Sequence, residues 1–152
     1  MINERIKVME HIASTHESRI LTALEHLKNT FPLTEESVGH LSDDQLLNIE
    51  MLTSRFAKLQ DYLGTKVFDI FFEVEQENVD GFTMIDKLNK LEKLGIINDA
   101  HQWRDMRGAR NIVEHEYPDN PLLIASNLNK INDMIPFLIA IKRRIFEKVR
   151  KI

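Results

Sequence analysis

The stretch SDDQLLNIEMLTSRFAKLQDYLGTKVFDIFFEV (residues 42–74) decides the fold class. Ser42 followed three residues later by Gln45 is a capping box: the hydroxyl accepts from the third amide while the glutamine side chain reaches back to the first. From there Leu46, Ile49, Leu52, Phe56, Leu59, Leu63, Val67, Ile70 and Val74 recur at spacings of three and four, the period of one helix face. The stripe persists over about eight turns, unusually long for a small globular protein.

The segments on either side read the same way. Ile6, Met9, Ala13, Ile20, Leu24 and Leu27 mark a first amphipathic helix over about 2–29, which Phe31-Pro32 stops. Asp80-Gly81 closes the long second helix. Thr83, with Asp86 three residues on, opens a short third helix carrying Ile85, Leu88 and Leu91, and Gly95 is its C-terminal cap. Asn98 is expected to cap a fourth helix that runs to about Tyr117, because Pro118 disfavours helical geometry in the residue before it. Asn120-Pro121 supplies an N-cap and a first-turn proline for a last helix reaching about Lys151, with a kink expected at Pro136. No segment alternates with period two for long enough to make a strand. The expectation is an all-α, up-and-down helical bundle of about five helices, one domain over residues 1–152.

Composition agrees with a single folded domain. The 152 residues are 43% hydrophobic and 29% charged, with a net charge of −4, too apolar and too little charged for a disordered chain. The absence of cysteine excludes a disulfide framework, a thiolate metal site and a cysteine nucleophile. No apolar run approaches the roughly 20 residues that cross a bilayer, and MINERIKVMEHIAS lacks the apolar stretch of a signal peptide, so a cytoplasmic protein is expected. Charge is uneven along the chain. Residues 1–100 carry 10 basic and 18 acidic side chains, a net of −8; residues 101–152 carry 10 and 6, a net of +4. The acidic part argues against indiscriminate coating of nucleic acid, and the basic part leaves room for one local polyanion site.

The fourth helix gathers the residues that carry chemistry: WRDMRGARNIVEHEY (residues 103–117). On a helical projection Met106, Ala109, Ile112 and Val113 share one side, while Arg104, Arg107, Arg110, Asn111, Glu114 and His115 share an opposite arc of about 140°. Arg110 and His115 stand at the two edges of that arc and flank a common patch. The planar fork of an arginine holds a phosphate bidentately and stabilises charge developing on it, and a histidine side chain takes or gives protons near neutral pH. A 2′-hydroxyl activated by His115 would attack the adjacent phosphorus while Arg110 steadies the added charge, with no metal or cofactor required. Asn111 lies one turn before His115, where it would orient the imidazole or bind a ribose hydroxyl. An ordinary solvated face with pairs such as Arg110–Glu114 accounts for the same spacing, and Tyr117 reads equally as a half-buried aromatic beside Pro118.

The pattern Arg110-Asn111-x3-His115-x-Tyr117, on the penultimate helix of a small all-α chain, resembles the signature of HEPN domains (higher eukaryotes and prokaryotes nucleotide-binding). Its Arg110-x4-His115-x-Tyr117 form is similar to that of HEPN toxins encoded beside a minimal nucleotidyltransferase antitoxin. Trp103, Met106 and the Arg-Asn pair are also similar to those of helical substrate-binding subunits of nucleotidyltransferases. Motif identity covers about residues 103–119, and the helical architecture covers nearly the whole chain. The resemblance implies a metal-independent endoribonuclease toxin, working as a homodimer that brings two Arg/His sets into one cleft. Arg110 and His115 would be the catalytic pair and Asn111 their support; Arg104 and Arg107 would add weak RNA contacts. The nucleotidyltransferase antitoxin would silence the toxin by adenylylating Tyr117, blocking the cleft and placing negative charge where the substrate phosphate belongs. The alternative is a non-enzymatic helical subunit that binds a nucleotidyltransferase and presents its substrate. The long apolar stripes of the first two helices would serve either a dimer or an intramolecular core.

Other candidates read as structure. His11, His16, His26 and His40 form no metal-ligand pattern, and Glu73, Glu75 and Glu77 make an acidic rim too sparse to specify a cation. Lys142, Arg143, Arg144, Lys148, Arg150 and Lys151 read as a solvated helix end beside the negative pole of the helix dipole.

Overall fold

The structure, a computed structural model, describes residues 1–115 and 120–150. Their regular elements are all helical: α1 (Ile2–His26), α2 (Glu35–Val38), α3 (Asp43–Tyr62), a π turn (Leu63–Val67), α4 (Phe68–Val74), α5 (Met84–Lys93), α6 (Ala100–Glu114) and α7 (Pro121–Val149). Since α3, the π turn and α4 follow one another without a break, the chain forms five helical rods plus the single turn of α2. The all-α bundle read from the sequence is the observed architecture.

Local chemistry sets the ends. The Ser42 capping box forms as expected, with Gln45 N–H donating to Ser42 Oγ at 3.1 Å and Ser42 N–H to Gln45 Oε1 at 2.9 Å. Thr83 and Asp86 repeat it at α5, and Asn120 Oδ1 accepts from Leu123 N–H at 3.0 Å at the start of α7. The cap of α6 falls one residue later than expected. Asp99, not Asn98, accepts from His101 N–H at 2.9 Å, while Asn98 lies near Arg144. At the far end, α6 stops at Glu114, and Tyr117 lies outside the described residues. The turn of α2 was not anticipated; a capping box of Thr34 and Ser37 makes it. α7 runs unbroken through Pro136.

Gly95 ends α5 in a left-handed conformation (φ 74°), and Ile96 N–H closes onto Leu91 C=O at 2.9 Å, a Schellman motif. The same motif ends α4, but there the left-handed residue is Gln76 (φ 58°), with Glu77 N–H on Phe72 C=O at 2.9 Å. A side chain pays a steric penalty in that conformation that glycine escapes. Gln76→Gly is therefore expected to raise unfolding free energy by about 0.5–1 kcal/mol, read by urea denaturation. A decrease would show that the Gln76 side chain contributes contacts of its own.

The core is continuous through the bundle. α1 packs along α3, α7 packs against α6, and Phe56, Phe68, Phe71, Phe72, Trp103 and Phe146 are fully buried among Leu, Ile and Val side chains. The stripes of the first two helices thus supply intramolecular core, although α3 leaves Leu46, Leu47 and Met51 exposed. The C-terminal basic run is not a uniformly solvated end. Lys142 is only 6% exposed; its ammonium donates to Ser14 Oγ (2.9 Å) and Glu17 Oε2 (3.3 Å), and Arg143 holds the other Glu17 oxygen at 3.0 Å. Arg144 donates to Ile96 C=O and Arg150 pairs with Glu10. Among the described residues no helix is long and apolar enough to cross a membrane.

Candidate functional site

The residues expected to share one solvated arc on α6 divide between two environments. Asn111, His115, Arg104 and Arg107 are exposed, whereas Arg110 is buried, at 8% exposure. The reason lies in the helix register. Arg110 falls about 20° from Trp103 and about 40° from Met106 on the projection, between two side chains that define the inward face. Trp103 and Met106 are 1% and 0% exposed, so the guanidinium is carried into the contact between α6 and α3.

There it meets a prepared set of acceptors. Arg110 Nη1 and Nη2 donate to the two carboxylate oxygens of Asp61 at 2.7 and 2.9 Å, a bidentate pair, and Nη1 also donates to Gln60 Oε1 at 3.2 Å. Gln60 is fully buried, and its amide donates to the backbone carbonyl of Trp103 at 2.9 Å, locking the two helices in register. Arg107 reaches the same Asp61 oxygen at 3.8 Å, and Glu114 stands 3.6 Å from Arg110 Nε. The Arg110–Glu114 pair read from the sequence is therefore present, but Asp61 is the closer partner.

The electrostatics follow from these contacts. Hydrogen bonding from Arg110, with the charges of Arg110 and Arg107, holds the Asp61 carboxyl below its usual range against the opposing effect of burial. The same bond raises the Arg110 guanidinium further above its ordinary value, so the pair stays fully charged.

The pair borders a cleft of about 660 Å³ between α3, α6 and the start of α7. Val38, Leu41, Ile49, Val113, Ile124 and Leu128 supply apolar walls, and Asp61, Arg110 and Glu114 supply polar lining. A cavity of this size with a few convergent polar groups has the character of a small-ligand or side-chain-binding site.

No family model, curated protein or solved structure matches the chain.

His115 caps the C-terminal end of α6, its N–H on Asn111 C=O at 3.1 Å, and its side chain is exposed, as is that of Asn111. Arg110 and His115 flank the same helix end, Arg110 from the inner side and His115 from the outer. Tyr117, the expected modification site, lies outside the described residues. Among the described residues no three His, Asp or Glu side chains are grouped to hold a metal ion. His16 instead accepts at Nδ1 from Arg55 at 3.1 Å, since arginine only donates; burial first, then Arg55 and Lys58, lowers its pKa below the usual histidine value.

Asp61 and Gln60 are the site residues that the sequence reading passed over. Gln60 had a visible signal. It lies about 40° from Phe56 on the α3 projection, inside the apolar stripe, where a polar side chain requires a buried partner. Asp61 follows it directly but sits off the stripe. Only the docking of α6 reveals its role.

Proposed function

We propose that this chain is a metal-independent endoribonuclease of the HEPN kind. The observation that carries the reading is the end of α6: a buried guanidinium fixed by a bidentate carboxylate, beside exposed His115 and Asn111. In this reading His115 removes the proton of an RNA 2′-hydroxyl, whose oxygen attacks the neighbouring phosphorus. The P–O5′ bond breaks, leaving a 2′,3′-cyclic phosphate and a 5′-hydroxyl that takes up a proton. Arg110 stabilises the charge on the phosphoryl oxygens, and Asn111 orients the imidazole or the ribose. The resemblance extends the proposal to a cytoplasmic toxin that acts as a homodimer and is silenced by a minimal nucleotidyltransferase through adenylylation of Tyr117. Leu46, Leu47 and Met51, exposed on α3, suit a surface that a second copy would cover.

The test uses protein of verified unmodified mass, incubated with total tRNA in EDTA beside the Arg110→Ala/His115→Ala double variant. Cleavage by the wild type alone is the expected result. Equal cleavage by both, or by neither, would remove catalysis from this helix.

The apolar cleft beside Arg110 favours a second reading, a non-enzymatic subunit that binds a nucleotidyltransferase or presents its substrate. Growth on expression separates the two. A toxin arrests cells unless its partner or His115→Ala is present, and a binding subunit is harmless in every combination.

A further inference from the structure

Arg110 offers five N–H bonds, and its partners account for three of them. Asp61 takes one from each terminal nitrogen, and Gln60 takes the second from Nη1. What remains is the side edge of the guanidinium, Nε–H together with the outer N–H of Nη2, itself a fork suited to two phosphate oxygens. Nε is buried and, among the described residues, has no acceptor within 3.5 Å. A buried donor held only by a long contact is poorly satisfied, so this edge has room for a closer acceptor from outside. The group facing it is the Glu114 carboxylate at 3.6 Å, beyond hydrogen-bond length, on a side chain that is half exposed. Glu114 directly precedes His115, so the edge opens toward the same helix end as the imidazole.

We infer that Asp61, with Gln60, is the positioning residue of this site, holding Arg110 by its tip so that the Nε/Nη2 edge receives the substrate phosphate while Glu114 swings aside. The inference rests on the nuclease reading. It differs from a simple displacement in which phosphate would take the place of Asp61. That exchange would break two short charge-assisted bonds and leave Nε with only its long contact to Glu114.

The two arrangements predict opposite signs. Steady-state cleavage of a defined RNA in EDTA is compared for the wild type, Asp61→Asn and Glu114→Gln, with the Arg110→Ala/His115→Ala variant as blank. Asp61→Asn keeps the size of the side chain and loses the bidentate charge, so kcat is expected to fall about 100-fold with KM within about twofold. Glu114→Gln removes the competing carboxylate and is expected to lower KM about fivefold. Asp61→Glu, which restores the charge on a longer stem, is expected to recover most of the lost kcat. If the wild type cuts RNA and Asp61→Asn is as fast or faster, the positioning role is overturned and the nuclease reading stands. If Asp61→Asn does not fold, an unchanged KM in Glu114→Gln overturns the assignment of the edge, and a lowered KM supports it. If the wild type does not cut at all, both fall together.

Discussion

Replacing Glu17 by alanine is expected to destabilise the bundle by about 3–5 kcal/mol, as removal of one partner of a buried ion pair does. The Lys142 side chain is only 7% exposed and that of Glu17 12%, so neither charge has water to fall back on. Without Glu17 the Lys142 ammonium keeps a single protein acceptor, Ser14 Oγ, and its charge is left uncompensated between α1 and α7. Arg143, 64% exposed at its side chain, is solvated in either case and contributes little to the loss. The double variant Glu17→Leu/Lys142→Leu discriminates between the worth of the pair and the penalty of breaking it. It is expected to lie within about 1 kcal/mol of the wild type, because both desolvation costs vanish together. Urea unfolding followed by circular dichroism reads both variants. A single-variant loss below about 0.5 kcal/mol would mean that water reaches Lys142.

The same pair shows what a sequence conveys and what it withholds. The apolar stripe of α1 is legible from Ile6 to Leu27, including a gap of six residues between Ala13 and Ile20. Glu17 fills that gap and is buried with the stripe. Gln60, Arg110 and Lys142 repeat the case on α3, α6 and α7: each stands in register with apolar neighbours and each is buried. Hydrophobic periodicity finds helices because it samples many positions at once. It says nothing about a polar residue in the stripe unless its partner is known, and these partners lie 43 to 128 residues away. Helix caps, by contrast, are local, and Ser42, Thr83 and Asn120 are readable because donor and acceptor are three residues apart. The π turn was invisible for a related reason. Leu63 and Val67 keep the apolar rhythm through it, and the glycine between them lies against Trp103 and Met84, far away in sequence.

That packing makes Trp103 the residue on which fold and site jointly depend. Its indole lies against Phe68 with ring centroids 4.8 Å apart, and a methyl at Gly64 in the π turn would sit 3.4 Å from its Cζ2. Its carbonyl is the anchor for Gln60, which in turn accepts from Arg110. Trp103→Ala is therefore expected to cost about 3–5 kcal/mol, the usual loss on emptying a fully buried aromatic site. On the proposed nuclease reading, RNA cleavage falls with it, because α6 no longer docks α3 at the spacing that brings Arg110 onto Asp61. Trp103→Phe is the sharper probe. The indole Nε1 is buried without a hydrogen-bond partner among the described residues, a defect that phenylalanine removes along with part of the ring volume. The lost packing and the relieved donor oppose each other, so the expected net cost is only about 0–1.5 kcal/mol, with the backbone link from Trp103 to Gln60 intact. Urea midpoints for the two variants, taken at matched m-values, test this directly. Should phenylalanine cost as much as alanine, the site requires the whole indole and not merely a ring of phenylalanine's size.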